Sequence, residues 1–173
     1  VSWLFLSLGL ILGGAWAYQE LGWGGYWAWD PIENAGLMPW LAMTALVHSV
    51  MVQKKRGMFR MWNIILINVA FILALFGIFI NRGGPIPSVH SFGASNLGWV
   101  FLMFLGFGLL FSFAVFFFRF GKLKSSGSLE STLSREAAFL VNNLLLLGVA
   151  FVTLWGVVFP LISQVFHGQT VTV

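Results

Sequence analysis

Histidine and tryptophan are the residue types in this chain that point most directly to chemistry. Three of its 173 residues are histidine and none is cysteine, so thiolate ligands are excluded and imidazole is the natural metal ligand. His90 lies in a loop rich in glycine and proline, and His48 lies inside a hydrophobic segment. His167 follows the last hydrophobic segment, and we interpret it as solvated. The candidate metal ligands are therefore His48 and His90.

The densest aromatic stretch runs from Trp16 to Trp40 and is interrupted by glycines. Its aromatic residues are Trp16, Tyr18, Trp23, Tyr26, Trp27, Trp29 and Trp40. Three glycines and a proline break helix here and leave backbone groups that hydrocarbon cannot satisfy, so the stretch is predicted to be a loop at a membrane surface. An interfacial aromatic belt would spread such residues over all helix ends. Their concentration in one loop favours a platform for a flat, apolar ligand.

The same loop ends in a helix-start signal. Asp30 is a good N-cap, Pro31 suits the first helical position, and Glu33 completes a capping box. A helix is therefore predicted to begin at Pro31. Capping alone would account for both carboxylates, and a binding role for Asp30 is the alternative.

The segment around His90 includes one basic residue, Arg82. A lone loop histidine is usually only solvated, because most histidines bind no metal. His90 is nevertheless predicted to lie at the same surface as the aromatic platform, which favours a ligand role. Arg82 could pair with an anionic group of a ligand or anchor a helix at the interface, and both options stay open.

His48 lies in a predicted membrane span, about two turns after Pro39. Ionisable residues inside a membrane are costly and by default mark a functional site. Two interpretations remain, a hydrogen bond to another helix and ligation of a bulky flat cofactor. No second histidine lies in a predicted span, so ligation by two histidines would need a residue from outside this chain.

These residues must be positioned by a membrane helix bundle. The sequence is 59% hydrophobic and 8% charged with a mean hydropathy of +0.92, which predicts a polytopic membrane protein. Segments long enough to span a bilayer lie at 1–18, 31–52, 61–80, 97–118 and 137–166. The predicted fold is all-α, with about five transmembrane helices, an external Trp-rich loop and a short surface helix that kinks at Pro39 into the second span. Small residues, Gly9, Gly13, Gly14 and Ala17, predict close packing on one side of the first span.

The basic residues are distributed asymmetrically. Eight of the nine lie at 54–60 and 119–135, which the positive-inside rule places in the cytoplasm. Residues 1–173 are then one transmembrane domain with an external Trp-rich loop at 19–38, an external His loop at 81–96 and a cytoplasmic linker at 119–136. The net charge of +4 is modest and does not indicate nucleic-acid binding.

Several long motifs resemble a known family. The segment WGGYWAWDPIEN at 23–34 is similar to the tryptophan-rich WWD signature of haem-handling proteins of cytochrome c maturation. The continuation AGLMPWLAMTALVHS at 35–49, PSVHSF at 87–92 and SREAAFLVNN at 134–143 resemble its CcmF/NrfE branch of cytochrome c haem lyases. Tyr26 stands where this family often has tryptophan, and it keeps the aromatic ring.

The resemblance implies a function and a set of site residues. The Trp-rich loop would hold haem b at the outer membrane face for thioether attachment to the CxxCH motif of apocytochrome c. His90 would be an axial ligand of that external haem, and His48 an axial ligand of a second haem b embedded in the membrane. The other expected haem-binding residues are Trp23, Tyr26, Trp27, Trp29, Asp30, Trp40 and Arg82. Expected partners are apocytochrome c, the haem chaperone of the maturation pathway and membrane lipid.

The family pattern also implies that this chain is a middle portion, either a fragment or a split subunit. Family members carry a further external histidine before the Trp-rich loop and a second membrane-haem ligand farther along, and neither is in this sequence. Other CcmF portions would supply these histidines, so the chain is expected to be an incomplete haem lyase of the bacterial inner membrane, or of the mitochondrial inner membrane if it is a plant split subunit. The alternatives are a haem carrier or export protein without ligation chemistry, and a structural membrane subunit without cofactor.

Overall fold

A computed structural model shows a bundle of five long helices and, among the residues it describes, no strands. The described residues are 1–22, 25–84, 86–90, 96–123, 131 and 134–168, with only the backbone at 167. All five helices are long and apolar enough to cross a membrane, which confirms the predicted all-α polytopic fold.

The helices follow the predicted segments closely. The first, α1, spans Ser2–Trp16 and continues as a π-helical turn, Ala17–Leu21. Helix α2 spans Pro31–Arg56, α3 spans Arg60–Gly83, and α4 spans Gly98–Arg119 with a short 3-10 turn, Phe120–Lys122. Helix α5 spans Arg135–His167.

The loops are shorter than their predicted ranges. Residues 19–21 and 31–38 of the predicted Trp-rich loop are helical, so its described non-helical residues are 22 and 25–30. Residues 81–83 of the predicted His loop belong to α3, and residues 91–95 lie outside the described residues. Half of the predicted linker at 119–136 also lies outside them, because 124–130, 132 and 133 are not described.

Helix α2 begins at Pro31 as its sequence predicts. The Asp30 carboxylate accepts a hydrogen bond from the Ile32 N–H at 3.0 Å, and Glu33 accepts from the Asp30 N–H at 3.3 Å, which forms a capping box. Glu33 also accepts from the Ala28 N–H at 2.8 Å. The two carboxylates thus fix the end of the Trp-rich loop as well as the start of the helix.

The expectation of a separate surface helix before Pro39 is wrong. Helix α2 continues without interruption from Pro31 to Arg56, and Pro39 is buried within it. Proline removes the hydrogen bond that the carbonyl four residues earlier would accept, here that of Ala35. Gly77 of α3 lies against this carbonyl so closely that a Cβ on Gly77 would be 2.9 Å from the oxygen. Packing against neighbouring helices keeps the helix continuous where the local sequence favours a break.

Helix α2 is the centre of the bundle. It packs most extensively against α3 and α5 and less against α1, while α4 packs on the other side of α3. One core cluster joins Met38 and Ala42 of α2 to Ala70 and Leu73 of α3. The functional residues on α2 are therefore held from several sides.

The predicted close-packing face of α1 is only partly formed. A Cβ added to Gly9 or Gly13 would meet nothing within 4 Å, whereas one added to Gly14 would be 2.7 Å from the Tyr26 carbonyl oxygen. The small residue that matters therefore contacts the Trp-rich loop and not another helix.

The ends of α3 and α4 cross at two glycines. A Cβ on Gly98 would be 3.0 Å from the Gly83 Cα, so neither position has room for a side chain. This crossing brings the two ends of the His loop together beside α2.

Candidate functional site

The Trp-rich loop and the His loop meet at the first turn of α2. Asp30 Oδ2 accepts hydrogen bonds from Ser88 Oγ at 2.5 Å and from the Ile32 N–H, and it lies 3.2 Å from His90 Nδ1. The backbone N–H of His90 in turn donates to Ser88 Oγ at 3.0 Å. One carboxylate thus caps a helix and joins two loops that are 58 residues apart in the chain.

The His90 ring lies between two carboxylates. Its Nδ1 faces Asp30, and its Nε2 is 3.7 Å from Glu33 Oε1, which is longer than a hydrogen bond. The side chain of His90 is 16% exposed, and those of Asp30 and Glu33 are 9% exposed each. Asp30 therefore fixes the ring, and Nε2 faces Glu33.

The aromatic residues of the loop form two ring pairs. Tyr26 stacks on Tyr18 with ring centroids 4.4 Å apart and an interplanar angle of 18°, and Trp27 packs edge-on against Trp29 at 6.0 Å and 85°. Trp29 adopts a left-handed backbone, φ 57°, which is uncommon for a bulky residue. Its carbonyl accepts a hydrogen bond from Asn34 Nδ2 at 2.9 Å, and its side chain is 64% exposed. The loop is thus held so that Trp29 points outward next to Asp30.

A cavity of about 400 Å³ lies between α1, the Trp-rich loop and α2. Its lining is formed by Ser7, Leu10, Ile11, Gly14, Tyr26, Trp27, Leu37 and Trp40. The structure therefore brings Tyr26, Trp27 and Trp40 together at one apolar cavity, while Trp29 and His90 lie outside its lining. The volume is within the range of ligand pockets.

Helix α1 is attached to α2 by two tryptophans, Trp40 and Trp3, of which the sequence analysis singled out only Trp40. Trp40 Nε1 donates to Ser7 Oγ at 2.7 Å, and Trp3 Nε1 donates to Thr44 Oγ1 at 2.8 Å. The two indole rings stack at 6.2 Å and 22°. The hydroxyl residues Ser7 and Thr44 inside apolar spans could have predicted these contacts, because buried indole N–H groups need hydrogen-bond acceptors.

Two further predicted site residues are less defined. Arg82 lies in the last turn of α3 with an exposed side chain. Trp23 lies outside the described residues, as does the side chain of His167.

His48 forms a second site, far along α2 from the first. It lies 18 residues after Asp30, which is about 27 Å along a helix axis at 1.5 Å per residue. Its Nδ1 is 3.1 Å from Asn142 Nδ2 of α5, and its ring is 5.9 Å from that of Phe139. The hydrogen bond to another helix that the sequence left as one interpretation is therefore present. This hydrogen bond engages Nδ1 of a half-buried imidazole, and the orientation of the Asn142 amide decides which ring nitrogen carries the proton.

Neither histidine belongs to a metal centre made by this chain's described residues alone. Within those residues no group of three or more His, Cys, Asp or Glu side chains could hold a metal ion. His90 lies between the carboxylates of Asp30 and Glu33, and His48 lies in an apolar span. A metal at either histidine would need further ligands from outside these residues.

The contact of Gly14 with the loop gives a testable prediction. Gly14→Ala is expected to push the Tyr26 carbonyl away, because a Cβ 2.7 Å from that oxygen cannot be accommodated. Tryptophan fluorescence of the protein in detergent should change, and binding of added haem should weaken by roughly tenfold, since the cavity wall moves. Gly13→Ala is the matched control, because its Cβ would enter open space. Equal behaviour of the two variants would contradict the prediction.

Comparison with known proteins gives a consistent result. Residues 1–84 match the family model described as "Cytochrome C assembly protein". The chain is 47% identical over 165 residues to the cytochrome c-type biogenesis protein CycK of Bradyrhizobium diazoefficiens, covering 95% of this chain and 25% of that protein. It is 43% identical over 164 residues to CcmF of Escherichia coli strain K12, covering 94% and 25%. NrfE of Haemophilus influenzae is 40% identical over 174 residues, with 100% and 27% covered.

The solved structures include one with the same fold. It is described as "Cytochrome c Heme Lyase CcmF", and it matches with a TM-score of 0.73 and 35% sequence identity over 94% of this chain and 24% of that one. The chain thus spans about a quarter of the length of the relatives it matches. With its five membrane-length helices, its WWD-type loop and these relatives, the chain belongs to the CcmF/NrfE family of cytochrome c biogenesis membrane proteins.

Proposed function

We propose that this chain is the haem-holding core of a cytochrome c haem lyase. The observation that carries the proposal is the contact of Asp30 with Ser88 and His90, which places an imidazole at the root of the Trp-rich loop. The substrate haem b would lie at this loop, with His90 as one axial ligand and its vinyl edge presented to the thiols of an apocytochrome c CxxCH motif. A relative of the same fold carries the name of a haem lyase, which supports this assignment.

The role of Asp30 follows from the two nitrogens of imidazole. A carboxylate at Nδ1 accepts its N–H, and the lone pair is then on Nε2, the nitrogen that can bind iron. Carboxylate partners of this kind fix the tautomer and make the ligand more basic. Glu33, 3.7 Å from Nε2, has to give way when that nitrogen binds another group.

The aromatic side chains would supply the apolar surface for the substrate. Tyr26, Trp27 and Trp40 line one cavity, and Trp29 extends beside His90's partner Asp30. Holding a flat substrate against these rings orients its reacting edge and excludes water, which lowers the entropic cost of the attachment. In this proposal Trp23 adds to the aromatic wall, and Arg82 pairs with an anionic group of the substrate.

The second part of the proposal concerns His48. The surroundings of His48 are compatible with a haem b embedded in the membrane, because its half-buried imidazole lies in an apolar span and, among the described residues, is hydrogen-bonded at Nδ1 alone. The second axial ligand would come from other portions of the CcmF-type protein. When bound, and after reduction by an external electron donor, such a haem would pass electrons to the iron of the substrate haem. The two histidines would thus serve different haem groups at different depths.

We further propose that both loops face the outer side of a bacterial or mitochondrial inner membrane. They lie at the same end of the bundle, and Lys54, Lys55, Arg56 and Arg60 lie at the other end of α2 and start of α3. Such a basic cluster is typical of the cytoplasmic side. Apocytochrome c and the haem chaperone of the pathway would then reach the site from outside, within the surrounding lipid.

The experiment that tests this proposal is the reduced-minus-oxidised absorbance spectrum of the full chain as the cell makes it, purified in detergent. We expect a b-type spectrum that is lost in His48→Ala and retained in His90→Ala, with cytochrome c assembly reduced more than about tenfold in both, the range seen when ligand shells are disrupted. His167→Ala is the control and should change neither. A spectrum independent of His48 would contradict the membrane-haem assignment and favour a haem carrier.

A further inference from the structure

The imidazole of His48 is held by two residues of α5. Asn142 lies 3.1 Å from its Nδ1, and the Phe139 ring lies three residues earlier on the same helix at 5.9 Å. No other hydrogen bond reaches His48 from the part of the chain that the structure describes. The partner is 94 residues away in sequence, so the contact exists only in the folded bundle.

The partner at Nδ1 decides which nitrogen carries the proton. A neutral imidazole has one N–H donor and one lone pair, and an asparagine amide can either donate through nitrogen or accept through oxygen. The two orientations differ only by a flip of the amide, which heavy-atom positions do not distinguish. If the amide oxygen accepts from Nδ1–H, the lone pair lies on Nε2. If the amide nitrogen donates, Nε2 carries the proton and cannot bind a metal.

We propose that Asn142 is the positioning residue of His48. Its amide would turn its oxygen toward the ring, the reverse of the orientation in which Nδ2 lies 3.1 Å from Nδ1, and would hold the proton on Nδ1 so that Nε2 is presented as a ligand. This inference rests on the proposed haem ligation by His48 and adds the residue that prepares it. Asn142 touches the histidine and not the iron, so its effect passes through the imidazole.

The choice of an amide follows from the location. At the outer end of α2 the corresponding partner of His90 is a carboxylate, Asp30, next to backbone donors that stabilise its charge. Inside the membrane a carboxylate would have to be buried with its charge, which is expensive, whereas an amide is neutral. An amide oxygen is also a weaker hydrogen-bond acceptor than a carboxylate. It therefore makes the His48 imidazole less basic and a weaker electron donor to iron.

The test uses the full chain in detergent and begins without haem. With ¹⁵N-labelled histidine, the haem-free protein is expected to show His48 protonated at Nδ1, with the signal identified by its absence in His48→Ala. Asn142→Leu, which is of similar size but forms no hydrogen bond, should shift that proton to Nε2 or leave a mixture. A histidine already protonated at Nε2 in the unaltered protein would overturn the proposal, whatever haem does.

The second readout is the haem itself. Asn142→Leu should weaken haem retention by roughly 10-fold or more, as is typical when the hydrogen-bond partner of a metal-ligating histidine is lost. Asn142→Asp restores an acceptor, so it should recover haem binding and lower the midpoint potential relative to asparagine. Unchanged retention and potential in Asn142→Leu, with haem still lost in His48→Ala, would overturn the role of Asn142 while leaving His48 as a ligand.

Matched controls separate the hydrogen bond from packing. Asn143 is the next residue of α5, is fully buried, and among the described residues has no hydrogen-bond partner for either polar atom. Asn143→Leu should therefore leave the His48 tautomer and the haem potential unchanged. Phe139→Leu removes the ring contact but keeps the amide, and it should also leave the tautomer unchanged. If neither the unaltered protein nor any variant binds haem, the proposed function fails. The measurement on haem-free protein with ¹⁵N-labelled histidine still decides the role of Asn142.

Discussion

Replacing Asp30 with alanine is expected to reduce cytochrome c assembly by at least about tenfold, the loss typical of removing the partner of a ligating histidine. This one carboxylate accepts from the Ile32 N–H and Ser88 Oγ and holds His90 Nδ1. Without it the contacts of Ser88 and His90 with this carboxylate are lost, and the His90 ring is held less firmly. The measurement is the yield of haem-attached cytochrome c in cells that depend on the variant.

Two other variants separate the functions of Asp30. Asp30→Asn keeps a good N-cap and a neutral acceptor, so helix α2 should start normally while His90 is held less firmly, and the yield should be intermediate. Ser134→Ala removes the N-cap of α5, where Ser134 Oγ accepts from the Ala137 N–H at 3.2 Å, far from His90 in the chain. This control loses about 1 kcal/mol of capping stability but should keep its yield. A drop in yield as large as that of Asp30→Ala would show that capping, not the link to His90, is what matters.

Replacing Gly77 with alanine is expected to destabilise the bundle by about 1–3 kcal/mol, the usual cost of inserting a methyl group into a filled space. The new Cβ would be 2.9 Å from the backbone carbonyl oxygen of Ala35 and 3.5 Å from its carbonyl carbon. A backbone group cannot move aside as a side-chain end can, so α2 and α3 must separate. Pro39 makes this position more sensitive, because the N–H that would otherwise hold the Ala35 carbonyl is missing. The measurement is denaturant-induced loss of helical circular dichroism in detergent.

Gly106 of α4 provides the matched control for Gly77→Ala. A Cβ there would meet nothing within 4 Å, so Gly106→Ala should be neutral or more stable by up to about 1 kcal/mol through helix propensity. If Gly77→Ala is as stable as Gly106→Ala, the close approach of α3 to the Ala35 carbonyl is not a feature of the folded protein.

Much of the architecture could be predicted from the sequence because it depends on local patterns. Long apolar segments must form helices in a membrane, since lipid offers no partner to the backbone, and five such segments became five helices. The start of α2 was predictable to the residue, because Asp30, Pro31 and Glu33 form a capping box within one turn. His48 and His90 could be recognised as candidates by type and place alone.

The arrangement of the site depended on tertiary structure. Asp30 could be predicted as a cap, but its contact with His90 crosses 60 residues and exists only because α2 and the end of α3 lie side by side. The same holds for Trp40, which lines a cavity against α1, and for the continuity of α2 through Pro39.

The physical reason for this division is the range of the interactions. Helix formation and capping involve residues within about four positions of each other, so their patterns can be recognised in the sequence. The partner of a polar side chain is chosen by which helices pack together, as Asn142 shows by reaching His48 across 94 residues. The sequence alone therefore determined which residues could do chemistry and where the spans lie. The packing of α2 against α1, α3 and α5 decided which of those residues meet.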